Sequence, residues 1–135
     1  MTKTYVDSGI IFQAWRHEDP AERAKARQLL ADFAQRSYIF SDYTILEVIP
    51  KATLYKNRDE LAFYETLLEG AARIVREHEI VFGDVLELAC KHGLGAIDAM
   101  HAQAAIVSGA DELVTTERKG RALFSVPSFQ TVSLR

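Results

Sequence analysis

Residues 93–119 read GLGAIDAMHAQAAIVSGADELVTTERK, and this stretch decides the fold. From Ile97 to Ser108 apolar residues, mostly alanine, occupy nearly every side of a helical wheel, which predicts a buried helix packed closely on a sheet. Gly109 closes that helix, and Glu112-Leu113-Val114-Thr115-Thr116 then reads as a buried strand. A buried helix feeding a buried strand is the repeating unit of an α/β protein. Working outward, the same alternation recurs. Thr4-Tyr5-Val6 is a short strand that ends at Asp7-Ser8-Gly9, and Ile10-Ile11-Phe12 opens a helix. Asp19-Pro20 starts the next helix, with Ala26, Leu29, Leu30 and Phe33 as its apolar face. Ser37–Phe40 is a second strand, followed by a helix from Asp42 to about Tyr55 that contains Pro50, where a kink is expected. A helix over Arg58–Glu69 stops at Gly70, Ala72–Val75 reads as a short edge strand, and a helix through Val81, Val85, Leu88, Ala89 and His92 ends at Gly93 and Gly95. Arg118–Phe124 predicts a short helix and Phe129–Val132 a last strand. The pattern gives α/β architecture with a mostly parallel sheet.

The 135 residues suit one domain spanning 1–135, with 48% hydrophobic and 26% charged residues, which excludes a disordered or collagen-like chain. No stretch approaches the roughly 18 apolar residues of a membrane span, and the start MTKTYVDSG carries no signal-peptide core, so no membrane association and a cytoplasmic location are expected. Cys90 stands alone, which rules out an internal disulfide; a buried, small apolar role is expected for it. Sixteen Lys and Arg against nineteen Asp and Glu give a net charge of −3. That is not a surface coated for nucleic acid, so a nucleic-acid substrate requires local basic clusters or bound metal.

Four acids stand where chemistry is expected. Asp7 ends the first strand, Glu47 lies among apolar residues of the helix after the second, Asp98 is in the first turn of the most buried helix, and Glu117 follows the fourth strand. In parallel sheets, sites form beyond the carboxyl ends of strands. If the first and fourth strands are neighbours, all four acids can converge. Converging carboxylates repel, and a hard divalent cation such as Mg²⁺ or Mn²⁺ resolves the repulsion with oxygen ligands. Each acid also has a local reading: Glu47 closing a capping box with Thr44, Asp98 and Glu117 answering a helix dipole, Asp7 ordering the turn at Ser8-Gly9.

The segments YVDSGIIF, SDYTILEV, GLGAIDAMHAQAA and ELVTTERK, in this order, resemble a PIN domain, and among PIN domains the VapC-type toxins of toxin–antitoxin pairs. The resemblance implies a Rossmann-like three-layer α/β/α fold with a central, mostly parallel sheet. It implies a Mg²⁺- or Mn²⁺-dependent endoribonuclease in which Asp7, Glu47, Asp98 and Glu117 hold the metal and, with Thr115, make up the catalytic set. Ser8, Arg118 and Lys119 are then expected at the substrate, with Arg16, Lys51, Lys56 and Arg121 as further phosphate contacts. An RNA substrate, a cognate antitoxin and a homodimer are the implied partners. The sequence departs from the family pattern at Gly9, where a hydroxyl residue is usual, and at Glu117, where Asp is usual. The segment Arg118-Lys119-Gly120 also lacks the phenylalanine often found there.

Other function classes fit less well. A haloacid-dehalogenase phosphohydrolase needs an Asp two residues after the first, where this chain has Gly9, and a receiver domain needs a Lys-Pro that is absent. A PIN-like module that binds RNA or protein without cleaving is the non-enzyme alternative; the four acids speak against it, while Gly9 and Glu117 leave it open. His101, one turn after Asp98, is expected to be a core histidine bonded to backbone; Tyr55 and Tyr64 are expected to pack in the core, and Phe12 and Trp15 in the core or on a partner-facing patch.

Overall fold

The computed structural model describes residues 1–135. Five strands form one parallel sheet: β1 (Thr2–Val6), β2 (Arg36–Ser41), β3 (Arg73–Val75), β4 (Glu112–Thr115) and β5 (Gln130–Ser133), in the spatial order β3-β2-β1-β4-β5. Six helices connect them: α1 (Ser8–Arg16), α2 (Pro20–Leu30), α3 (Asp42–Leu54), α4 (Arg58–Glu69), α5 (Phe82–His92) and α6 (Ala96–Val107).

The period-two alternation of strand side chains divides the core into two layers. Tyr5, Ile39, Val75 and Leu113 face α5 and α6, where Val85, Ala99, Ala102 and Ala105 receive them. Val6, Tyr38, Phe40 and Val114 face the other way, onto Ile10, Ile11 and Ala14 of α1, Ala26 and Leu30 of α2, Val48 and Ala52 of α3, and Tyr64 of α4. The α/β/α sandwich follows directly from this alternation.

Local signals account for most boundaries. Asp19 caps α2 by accepting from the Ala21 amide at 2.9 Å, with Pro20 in the first turn. Gly93 takes a left-handed φ of 68° just past the end of α5, a conformation that costs a side-chain-bearing residue more. Helix α3 runs through Pro50. The carbonyl that loses its amide partner belongs to Leu46, an exposed residue where water can serve instead.

Several expectations are corrected. Helix α2 ends at Leu30, so Phe33 lies beyond it and is 56% exposed. Tyr55, just past α3, is 73% exposed, whereas Tyr64 is buried. Cys90 is exposed: α5 turns Val85, Leu88 and Ala89 inward and leaves Cys90 on its outer side. Arg118–Phe124 is no continuous helix. Gly120 adopts a φ of 90° and breaks the segment, so that only Ala122–Ser125 forms a 3-10 turn.

Candidate metal centre

Strands β1, β2 and β3 extend the sheet to one side of β1, and β4 and β5 extend it to the other. The point of reversal therefore lies between β1 and β4, and the crevice at the carboxyl ends of such a pair is where α/β sheets build sites. The β1–β4 register pairs Tyr5 with Leu113 and Val6 with Val114, so one further step sets Asp7 beside Thr115. The Thr115 hydroxyl donates to Asp7 Oδ2 at 2.8 Å and accepts from the Glu117 amide at 3.1 Å. Asp7 is the residue before α1, yet its side chain makes no cap hydrogen bond to that helix.

Glu47 points into the same crevice from α3. The Thr44–Glu47 capping box expected from sequence does not form; Ser41 caps the helix reciprocally with Thr44, one turn earlier. Glu47 is thereby free to accept from Ser8 at 2.7 Å and to bond the Nε2 of His101. His101 is 1% exposed and, contrary to expectation, bonds side chains instead of backbone. Its Nε2 also lies 4.0 Å from Asp7 Oδ1, so one imidazole edge faces two carboxylates.

Asp98, in the first turn of α6, and Glu117, after β4, line one cavity of about 360 Å³ together with Gly95 and Arg121. Burial raises the pKa of Asp98 above the ordinary carboxylate range, and the charges of Asp7 and Glu117 raise it further. Burial likewise raises Asp7, against the pull of His101 and the Thr115 hydrogen bond. Glu47 moves the other way: partial burial opposes its charge, but hydrogen bonds from His101 and Ser8 hold it below the usual range. Asp98 thus feels the charges of the other three acids, and the only arginine paired to any of the four is Arg121, 3.7 Å from Glu117 on the exposed rim.

This donor set fits a hard divalent cation. It offers oxygen ligands, excess negative charge and, at Asp7 and Asp98, carboxylates destabilised by burial. No three Asp, Glu, His or Cys side chains stand where they could together hold a metal ion. An ion such as Mg²⁺ takes only one or two carboxylates from a protein and keeps several waters.

Of the residues expected at the substrate, Ser8 is 2% exposed and holds Glu47 through its hydroxyl. Arg118 lines a second cavity with Thr116, Glu117, Arg121 and Arg135. Arg16, with its guanidinium 4.2 Å over the Phe12 ring, lines a third with Gly9, His17, Thr116 and Arg135. The three cavities share residues and form a track from the acids to Arg16; Lys119, Lys51 and Lys56 do not line it. Arg135 was not expected, because only the pairing of β5 with β4 brings the last residues beside Thr116. The departure at Gly9 also has a structural counterpart. A Cβ at position 9 would collide with the hydroxyl of Thr116.

A family model described as the PIN domain matches residues 4–123. Among curated proteins, none matches this chain. A chain in the crystal structure of VapBC2 from Rickettsia felis bound to a DNA fragment from their promoter is similar to it, with a TM-score of 0.71 and 15% identity, covering 99% of this chain and 100% of that one. At that identity the likeness is one of fold.

Proposed function

Because the chain belongs to the PIN domain family, a family of nucleases, we propose that it is a Mg²⁺- or Mn²⁺-dependent endoribonuclease and the toxin of a toxin–antitoxin pair. What supports this reading is that Asp98, at the crevice beyond the carboxyl ends of β1 and β4, is raised in pKa by burial and by the charges of Asp7, Glu117 and Glu47.

Asp7, Glu47, Asp98 and Glu117 would hold a divalent ion, which would supply water activation and charge stabilisation for in-line displacement at a phosphodiester. The chain's own residues prepare for this. Thr115 fixes one oxygen of Asp7 and the amide before the Glu117 side chain, so both acids are aimed from the same strand end. Ser8 and His101 fix Glu47 from α1 and α6. Preorganised groups of this kind need no rearrangement as charge develops. Arg118, Arg121, Arg135 and Arg16 along the track suit the phosphates of an RNA strand on one side of the cut.

A cognate antitoxin would occupy this track and block it. A homodimer has a separate surface available: Val81, Phe82 and Leu86 are exposed beside an apolar cleft of about 490 Å³ between α3, α5 and α6. No helix is long and apolar enough to cross a membrane.

The test is cleavage of end-labelled single-stranded and hairpin RNAs with Mg²⁺, Mn²⁺ or EDTA, beside Asp98→Asn. The expected result is cleavage that requires metal, disappears in the variant and leaves no 2′,3′-cyclic phosphate, since water and not the ribose hydroxyl attacks. Cleavage that persists in EDTA would overturn the reading. So would inert, well-folded protein that still binds RNA, which is the behaviour of a non-catalytic module.

A further inference from the structure

We propose that Ser41, Tyr5 and His101 form a buried hydrogen-bonded chain that positions the Glu47 carboxylate, with His101 carrying its ring proton on Nε2. The strand pattern places them together. Tyr5 pairs with Ile39 in the β1–β2 register, so Tyr5 and Ser41 project from the same face of the sheet, the face covered by α6. His101 lies on the buried side of α6, and its ring packs 5.6 Å from that of Tyr5. All three are at most 1% exposed.

The hydrogen bonds have one consistent direction. Glu47 Oε1 already accepts the Ser8 hydroxyl at 2.7 Å, and an ionised carboxylate can only accept, so the bond from His101 needs a proton on Nε2. With that proton on Nε2, a singly protonated ring presents a lone pair at Nδ1, which takes the Tyr5 hydroxyl proton at 2.6 Å. Tyr5 then accepts from Ser41 at 2.7 Å, and Ser41 accepts from the Thr44 amide at 3.4 Å. Every donor has an acceptor. A proton on Nδ1 instead would reverse the Tyr5 and Ser41 bonds and leave the buried Ser41 proton without an acceptor of its own.

Packing alone does not account for this arrangement. A phenylalanine would fill the Tyr5 site without a hydroxyl to satisfy, and an apolar residue would serve at 101. What the polar atoms add is a fixed imidazole whose outer edge faces Glu47 and, at 4.0 Å, Asp7. His101 and Tyr5 are therefore positioning residues, acting through Glu47 and not on substrate. Where the acids hold a metal, partners of this kind change its affinity by roughly 10–100-fold.

The inference rests on the metal-nuclease reading for its consequence but not for its first test. Long-range ¹H–¹⁵N spectra of the metal-free protein are expected to show His101 protonated at Nε2 and bare at Nδ1; a proton on Nδ1 would overturn the proposal. Mn²⁺ titration of His101→Ala is expected to show at least about tenfold weaker binding than wild type. His101→Gln, whose amide nitrogen can take the place of Nε2 and still donate to Glu47, is expected to recover most of that loss. Equal loss in both variants, or loss in neither, would overturn the positioning role even where wild type binds Mn²⁺. If wild type binds no Mn²⁺, the nuclease reading falls, and the spectra alone decide whether the chain of hydrogen bonds exists.

Discussion

At position 9 the backbone of α1 passes so close to Thr116 that an added Cβ would overlap the Thr116 hydroxyl. Alanine at 9 would gain helix propensity over glycine, while the collision would cost packing. The two effects separate in a double-mutant cycle. Gly9→Ala is expected to be more favourable by about 1 kcal/mol in a Thr116→Ala background than in wild type, measured by chemical denaturation. Additivity would show that Thr116 moves aside freely. Asp98 carries a second residue-scale expectation. Burial, then repulsion from Asp7 and Glu117, raises its folded pKa above that of the unfolded chain, so the folded state binds this proton more tightly. Its ionisation therefore destabilises metal-free protein as pH rises from about 3.9 through the raised value. Asp98→Asn should melt at higher temperature than wild type at pH 7 without metal, and the gain should vanish near pH 3.5. Glu47, lowered in the fold, has the opposite sign: its contribution is present above about 4.3 and is lost as pH falls through its lowered value. A gain for Asp98→Asn that grew on acidification would contradict this assignment.

At the scale of elements, α6 decides how closely the helical layer approaches the sheet. Ala99, Ala102 and Ala105 are fully buried on it, which lets the helix sit low enough for His101 to reach Tyr5 and for Asp98 to reach the crevice. Ala102→Leu is expected to cost about 1–3 kcal/mol by overpacking, and to weaken Mn²⁺ binding as α6 is pushed off the sheet. Denaturation and metal titration on the same sample check both. This helix was legible in the sequence because its alanines run all the way round it. So were the five strands and the positions of Asp7 and Glu117, since strand ends follow from where apolar runs stop. The partners of Glu47 were not legible. The Thr44–Glu47 spacing offered a local explanation, and only the folded chain shows that Ser41 takes the cap and leaves Glu47 to Ser8 and His101. His101 was underestimated for the same reason: its partners lie 54 and 96 residues away in sequence. Cys90 and Tyr55 differ from expectation because a one-residue difference in helix phase or end decides which side chain meets the core, and Phe33 because α2 stops three residues before it.

Across the whole molecule the charge is uneven in a way that a net of −3 conceals. Acids collect at the reversal point of the sheet, and arginines from α1, the loop after β4 and the end of the chain line the track that leads away from it. We propose that these acids hold a divalent cation, which Mn²⁺ titration of wild type beside Asp98→Asn checks. The prediction is saturable binding of one or two ions by wild type, greatly weakened in the variant while its fold is retained. Well-folded wild-type protein that binds no Mn²⁺, or an Asp98→Asn variant that binds it equally well, would rule out a metal held by these acids.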